Sequence, residues 1–123
     1  MEFDSANLIS WCAVPGQLSL ASVGRTTPLK NTLAASQAGA FGIETADLDG
    51  DGDADIIGAA ETAQWLTIWY NNGANPPTFT SDRIDATFPA VAAVFAADLD
   101  GDSDLDLVAG SGVTNGRVTC YLN

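Results

Sequence analysis

Two short acidic stretches constrain this chain more than any other feature of its sequence. Residues 47–55 read D-L-D-G-D-G-D-A-D and residues 98–106 read D-L-D-G-D-S-D-L-D, so ten of the sixteen acidic residues lie in these two segments. At 4 Å, each pair of carboxylates repels by about 1 kcal/mol in water and by about 4 kcal/mol at an effective dielectric constant near 20. A bound cation would compensate this charge, and a set of oxygen ligands favours a hard ion, calcium before magnesium or manganese.

The spacing of the aspartates distinguishes these loops from the calcium loop of an EF-hand. The first three aspartates and Gly52 match EF-hand positions 1, 3, 5 and 6, but the glutamate expected at position 12 is replaced by Gly58. The fourth carboxylate comes early, at Asp55 and Asp106, and short apolar runs follow directly. These runs predict buried strands. The sequence therefore favours metal loops between strands over a helix–loop–helix unit.

The chain repeats itself with an offset of 51 residues. When residues 42–72 are placed over residues 93–123, ten of the thirty-one positions are identical. A period near 50 residues that holds several short strands is typical of propeller blades. The predicted strands are 42–46, 55–60, 65–71 and an outer strand 78–86 in the first copy, and 92–97, 106–110 and 117–122 in the second.

Residues 46–53, residues 97–102 and the aromatic-Asn-Gly tail at 69–73 resemble FG-GAP/VCBS repeats, the blades of integrin-α-type β-propellers. The resemblance covers roughly residues 29–123. It implies an all-β fold of antiparallel propeller-type blades, about two blades plus a partial N-terminal one, incomplete as a closed ring. We expect divergent strands in residues 1–28, a first repeat in residues 29–77 and a second repeat, lacking its outer strand, in residues 78–123.

The resemblance also implies the residues that hold calcium, about two ions per chain. Loop positions 1, 3, 5 and 9 would bind through side chains and position 7 through its backbone carbonyl. The ligands would be Asp47, Asp49, Asp51, Asp55 and the backbone of Asp53 in the first loop, and Asp98, Asp100, Asp102, Asp106 and the backbone of Asp104 in the second. Ser103 stands where the first loop has Gly52, which would cost about 1 kcal/mol if the left-handed conformation is kept.

An incomplete propeller needs neighbours, because a blade buries its faces only against other blades. We therefore expect copies of the chain to associate as a ring or a filament. The alternative is that the chain is an excised part of a larger propeller protein. Residues 3–9 resemble the outer strand of the first repeat in sequence, with Phe3 corresponding to Phe79. They could therefore complete the second repeat, either within the chain or from a neighbouring copy.

Composition excludes several classes of protein. Four Lys and Arg residues against sixteen acidic ones give a net charge of −12, which argues against nucleic acids and anionic membranes as partners. No apolar run approaches the ~20 residues of a membrane-spanning helix. The chain has no histidine, and the acidic residues outside the loops show no catalytic spacing, so we expect no enzymatic activity.

The expected function is therefore that of a non-enzymatic, calcium-binding extracellular module for structure or adhesion, with a glycan or protein as a further possible ligand. A lectin-like propeller fragment is the alternative, since a tryptophan could stack on a sugar. We expect core packing for the tryptophans, with Trp65 the most exposed. Cys12 and Cys120 are expected to be small buried hydrophobes, or less often a disulfide.

Overall fold

The computed structural model describes residues 30–123, and in that range the chain forms seven strands and no helix. The strands are β1 (Ala40–Ala46), β2 (Asp55–Ala60), β3 (Trp65–Asn71), β4 (Phe79–Asp85), β5 (Val91–Ala97), β6 (Asp106–Ser111) and β7 (Val118–Tyr121). The same residues hold no helix long and apolar enough to cross a membrane. The predicted strands are confirmed to within two residues at each end.

The strands form two antiparallel sheets, each a simple meander. The first sheet has the order β1-β2-β3-β4 and the second has the order β5-β6-β7. Both acidic loops therefore join the first two strands of a sheet, and a strand follows each loop instead of the second helix of an EF-hand. Neither sheet closes on itself. The predicted all-β class of incomplete propeller-type blades is confirmed, and the predicted outer strand 78–86 corresponds to β4, which pairs with β3.

The two sheets pack against each other across one hydrophobic core, which we call the inter-repeat interface. Its buried residues are Leu48, Ile57, Ala59, Leu66, Ile68, Phe88, Val91, Val94, Leu107 and Ala109. Directly paired residues of antiparallel strands share a face of their sheet. The first sheet therefore contributes the face that carries the Ile57–Ile68 pair, and the second contributes the face that carries Val94 and its partner Ala109.

These two faces are opposite sides of the repeat. With the offset of 51 residues, Ile57 corresponds to Val108, which lies on the other side of β6 from the buried Leu107. The sheets thus stack front to back, as successive blades do, and not face to face as in a symmetric sandwich. One face of each sheet consequently lies outside the inter-repeat interface.

A polar cluster at one edge of the core ties the repeats together. Asp85, the last residue of β4, accepts hydrogen bonds from the Arg117 guanidinium at 2.6 Å and from the Tyr121 hydroxyl at 2.9 Å. The Arg117 guanidinium also lies over the Phe88 ring, 4.2 Å from its centroid. Hydrogen bonds to a charged group typically contribute about 1.5–3 kcal/mol, less where the pair is solvated. Sequence reasoning did not assign Asp85 a partner.

Two expectations about the second repeat are wrong. Cys120 is exposed, because it lies on the side of β7 away from the core and no described residue covers it. The offset of 51 residues also fails at β7: Ile56 pairs with Trp69, whereas Leu107 pairs with Tyr121, so Tyr121 occupies the place of Trp69 and not of Tyr70. The reason is that the β6–β7 hairpin has one more residue between paired positions than the β2–β3 hairpin.

The tryptophans follow the expected packing where they are described. Trp69 is buried, and Trp65 is half-buried with the Arg83 guanidinium 3.6 Å from its ring centroid. Trp11, Cys12 and the proposed edge strand 3–9 lie outside the described residues.

Candidate metal centres

Each acidic loop is shaped by aspartate side chains that accept hydrogen bonds from its own backbone. In the first loop, the Asp49 carboxylate accepts from the Asp51 N–H at 3.2 Å, and the Asp51 carboxylate accepts from the Asp53 N–H at 2.9 Å. The second loop repeats these bonds at 3.2 and 3.0 Å. Such turns are typical of aspartate, whose short side chain reaches the backbone two residues on. They hold the alternate carboxylates in a compact bend.

The last aspartate of each loop is buried and fixes the loop to its sheet. Asp55, fully buried, accepts from the Leu48 N–H at 2.9 Å and from the Asn71 N–H at 2.8 Å. Asp106 accepts in the same way from the N–H groups of Leu99 and Asn123, at 2.8 and 2.9 Å. A buried carboxylate needs such donors. Because each oxygen accepts one of these bonds, each keeps a second lone pair for another ligand.

Each loop brings three carboxylates together. In the first loop, one oxygen each of Asp47, Asp49 and Asp55 lie within 4.8 Å of one another. Asp98, Asp100 and Asp106 form the matching cluster in the second loop. Asp51 and Asp102, the predicted position-5 ligands, do not belong to these clusters, nor do the side chains of the position-7 residues. The structure therefore groups three of the four side chains predicted for each site.

Desolvation and neighbouring negative charges shift the pKa of carboxyl groups within these clusters. Partial desolvation, reinforced by the charges of Asp51, Asp55 and Asp47, raises the pKa of Asp49 above its usual range. The Asp102 N–H lowers the pKa of Asp100, but desolvation and the neighbouring carboxylates outweigh it and raise that pKa overall. A group that resists ionisation beside other carboxylates marks a place where a cation would be favoured.

Asp106 shows the opposite behaviour. The N–H groups of Asn123 and Leu99 hold the pKa of the Asp106 carboxyl below its usual range, although desolvation opposes them. Asp106 therefore remains a carboxylate at neutral pH even though it is buried.

One buried oxygen in the first loop has no partner among the described residues. Asp47 Oδ2 accepts from the Gly52 N–H at 3.0 Å, whereas Asp47 Oδ1 is inaccessible to solvent and accepts no hydrogen bond. Leaving such an oxygen unsatisfied typically costs about 1–3 kcal/mol, and more when it is charged. A hard cation coordinated by the cluster would satisfy it. The residues present thus fit a metal ion bound through oxygen.

Sequence reasoning missed the two asparagines that complete these loops. Besides its N–H bond to Asp55, Asn71 donates from Nδ2 to the Ala54 carbonyl at 3.2 Å. Asn123 donates from Nδ2 to the Leu48 carbonyl at 2.7 Å, which links the second repeat to the first loop. The signal was the Asn in each repeat tail, but the constant offset of 51 residues aligned Asn123 with Asn72 instead of Asn71.

These observations define a class of protein: a β-propeller-type repeat with an acidic loop in each of two blades, each loop grouping three carboxylates. Residues 47–109, about half of the chain, match the model of a family described as the FG-GAP-like repeat. The chain belongs to this family, whose repeats form a structural, non-enzymatic fold and are typical of extracellular proteins. No curated protein and no solved structure matches the chain.

Proposed function

We propose that this chain is a calcium-binding structural module of an extracellular protein, in which each ion fastens the first hairpin of a blade. The observation that carries the proposal is the pair of three-carboxylate clusters, one with a buried oxygen that lacks a donor. The oxygen-only ligand set favours calcium among the common divalent ions, because calcium accepts six to eight oxygens in flexible geometry.

The calcium ligands of each site would come from two parts of the loop. Asp47 and Asp49 supply carboxylate oxygens from the bend, while the buried Asp55 supplies one from the start of β2. In the second loop Asp98, Asp100 and Asp106 would do the same. When bound, the ion supplies positive charge that offsets the repulsion within each cluster, and its binding free energy adds to that of folding.

Two considerations support an extracellular role. Calcium sites in extracellular modules typically have dissociation constants of about 10⁻⁴–10⁻³ M, so they fill at extracellular calcium levels. Repeats of this family are typical of extracellular proteins. A structural role is supported because, in the part of the chain that the structure describes, groups of three close acidic side chains occur in the two loops alone, and Asp85 outside the loops is paired with Arg117.

Isothermal titration calorimetry with calcium chloride tests the proposal. We expect about two ions to bind the wild-type chain and about one to bind either Asp47→Asn or Asp98→Asn, because each substitution removes a charged ligand from one cluster. The matched control is Asp82→Asn, which removes the same charge from an exposed position of β4 that belongs to neither cluster. This control should keep both sites.

Calcium binding that is absent at millimolar concentration, or equally weakened by Asp82→Asn, would contradict the proposal. The second result would mean that calcium only screens the net charge. A parallel titration with magnesium chloride distinguishes the two ions, and we expect magnesium to bind more weakly.

A further inference from the structure

The exposed hydrophobic residues of this protein are concentrated on two sheet faces. Among the described residues, seven large hydrophobic side chains are exposed, and five of them lie on the faces outside the inter-repeat interface. Phe41 and Ile43 lie on the first sheet, on what we call the leading face. Phe95 and Val118 on the second sheet, with Leu99 in the loop between β5 and β6, form what we call the trailing face. The other two, Val113 and Leu122, lie before and after β7.

A comparison of equivalent residues in the two repeats indicates what kind of surface these faces match. Three of the five exposed residues, one on the leading face and two on the trailing face, correspond to residues that the other repeat buries in the inter-repeat interface. On the trailing face, Leu99 is 46% exposed and corresponds to Leu48, which is 5% exposed. Val118, which pairs with Gly110, is 75% exposed and occupies the place of Leu66, which pairs with Ala59 and is fully buried.

The leading face shows the complementary relation. Ile43 is 71% exposed and corresponds to Val94, which is 8% exposed in the core. The leading face is also concave: a groove of about 370 Å³ is lined by Phe41, Ile43, Ile56 and Trp69 together with residues of the segment before β1. The leading face is thus the counterpart of the second sheet's buried face, and the trailing face is the counterpart of the first sheet's buried face.

Charge favours the same pairing. The chain carries a net charge of −12, yet every residue that lines the groove is uncharged. The trailing face is likewise apolar at Phe95, Leu99, Val108, Val118 and Cys120. Charge on the rest of an acidic surface disfavours random association, whereas the uncharged groove and the apolar residues of the trailing face allow one specific pairing.

We propose that the trailing face of one copy binds the leading face of a second copy, in the geometry of the inter-repeat interface. The contact is head to tail, so each bound copy presents a fresh trailing face and association continues until the assembly closes or is capped. This inference extends the proposed structural function by naming the partner, and it rests on that function only for the calcium that keeps each blade intact.

Single lysine substitutions test the two faces separately. Ile43→Lys blocks the leading face, and Val118→Lys blocks the trailing face; both side chains are exposed, so folding should be retained. The control Val113→Lys adds the same charge in the turn before β7, off both faces. In sedimentation velocity with calcium, we expect wild type and Val113→Lys to form species larger than the 12.7 kDa monomer and the other two variants to be monomers.

An equimolar mixture of Ile43→Lys and Val118→Lys is the decisive sample. Each variant keeps the face that the other has lost, so the mixture has one productive pairing and should form dimers and nothing larger. A monomeric wild type, or a mixture that stays monomeric while wild type associates, overturns the proposal. So does association that only Val118→Lys disrupts, since that points to a symmetric contact between two trailing faces.

Calorimetry on the same samples separates this proposal from the proposed function. A chain that binds about two calcium ions and remains monomeric refutes the head-to-tail contact alone. A chain that associates without binding calcium refutes the calcium-binding function alone. Circular dichroism tests whether the lysine variants retain the β fold.

Discussion

Ser103 is the residue at which the two acidic loops differ most in backbone chemistry. Its φ is 82°, near the 95° of Gly52 at the same position of the first loop, so the second loop keeps the left-handed conformation despite the side chain. Such a conformation typically costs a residue with a Cβ about 1–2 kcal/mol. A methyl group at Gly52 would meet no atom within 4 Å, so the cost at this position is backbone strain and not crowding.

We therefore expect Ser103→Gly to stabilise the protein by about 1 kcal/mol, after the larger chain entropy of unfolded glycine is subtracted. The reciprocal change Gly52→Ser should destabilise it by a similar amount. Denaturant unfolding in the presence of a chelator measures both without a contribution from bound calcium. Effects of the same sign would show that the serine side chain has a local role that the φ angle does not reveal.

Tyr121 offers a spectroscopic measure of the cluster that ties the repeats together. Desolvation and the hydrogen bond to the Asp85 carboxylate raise the pKa of Tyr121 to about 12. In a Tyr70→Phe background, Tyr121 is the only tyrosine, because the chain has two. We expect Asp85→Asn to lower its pKa towards the ordinary value near 10, since the phenolate then faces no carboxylate. Near-ultraviolet absorbance of the phenolate follows the titration.

The sign of the effect on stability follows from the same pKa. Since the folded pKa of Tyr121 lies above the unfolded value of about 10, its contribution is complete below pH 10 and is lost as pH rises through about 12. The control Asp82→Asn removes a carboxylate that faces Tyr70 and should leave the pKa of Tyr121 unchanged. An equal shift in both variants would mean that Tyr121 responds to overall charge only.

At the scale of secondary-structure elements, strands could be predicted best where the residue composition and the 51-residue repeat agreed. The strands on either side of each acidic loop could be placed because aspartates end where apolar runs begin, and the three-carboxylate clusters follow from the alternation of aspartates. The role of Asn123 could not be predicted, because a one-residue difference in a connecting loop changes the register of β7 without changing its apolar pattern. The ion pair of Asp85 with Arg117 depends on how the sheets pack, which strand patterns do not specify.

Gly42 lies at a close approach between the two sheets. A Cβ at this position would lie 2.8 Å from the carbonyl oxygen of Ala92 and 3.2 Å from the Cβ of Ala59. A backbone oxygen cannot move aside cheaply. We expect Gly42→Ala to destabilise the protein by about 1–3 kcal/mol, as overpacking of a core typically does, and thermal unfolding measures the effect.

Gly110 provides the matched control for this substitution. It is a strand glycine on the trailing face, and a Cβ there meets no atom within 4 Å. Gly110→Ala should be neutral or stabilising by up to about 1 kcal/mol, because alanine has less conformational freedom to lose on folding. If both substitutions destabilise equally, strand propensity and not sheet packing sets the response.

The whole molecule carries a net charge of −12, and two calcium ions would bring it to about −8. Binding at 100 times the dissociation constant stabilises a protein by about 2.7 kcal/mol per site. We expect the melting temperature to rise with the logarithm of calcium concentration once the sites begin to fill. Sodium chloride at matched ionic strength should raise it less, because monovalent salt screens charge without being coordinated.

A calcium response no larger than the sodium response would show that the loops are only screened. In this measurement, the variant Asp55→Asn distinguishes the role of Asp55 as a calcium ligand from its role as an acceptor of backbone hydrogen bonds. Its amide oxygen can still accept one of the two backbone N–H bonds, so the chelated protein should lose part of its stability and the calcium-dependent rise should fall to that of one site.

The sequence indicated that the sheets must pack against neighbours, but it did not indicate the packing geometry. An incomplete propeller needs neighbours, but which faces would remain uncovered depends on which side of each sheet enters the core. The front-to-back arrangement buries Leu66 and exposes Val118, although both are apolar strand residues at equivalent positions. Sequence periodicity alone assigns both to a core.

The unequal width of the two sheets has a consequence for any closed assembly that forms head to tail. In the described part of the chain, a four-stranded sheet is always followed by a three-stranded one. Each added copy contributes both of these described sheets, so four-stranded and three-stranded sheets follow one another in turn around the circle. A parity rule follows for the described sheets: the circle holds an even number of them, and its rotational symmetry order is half that number.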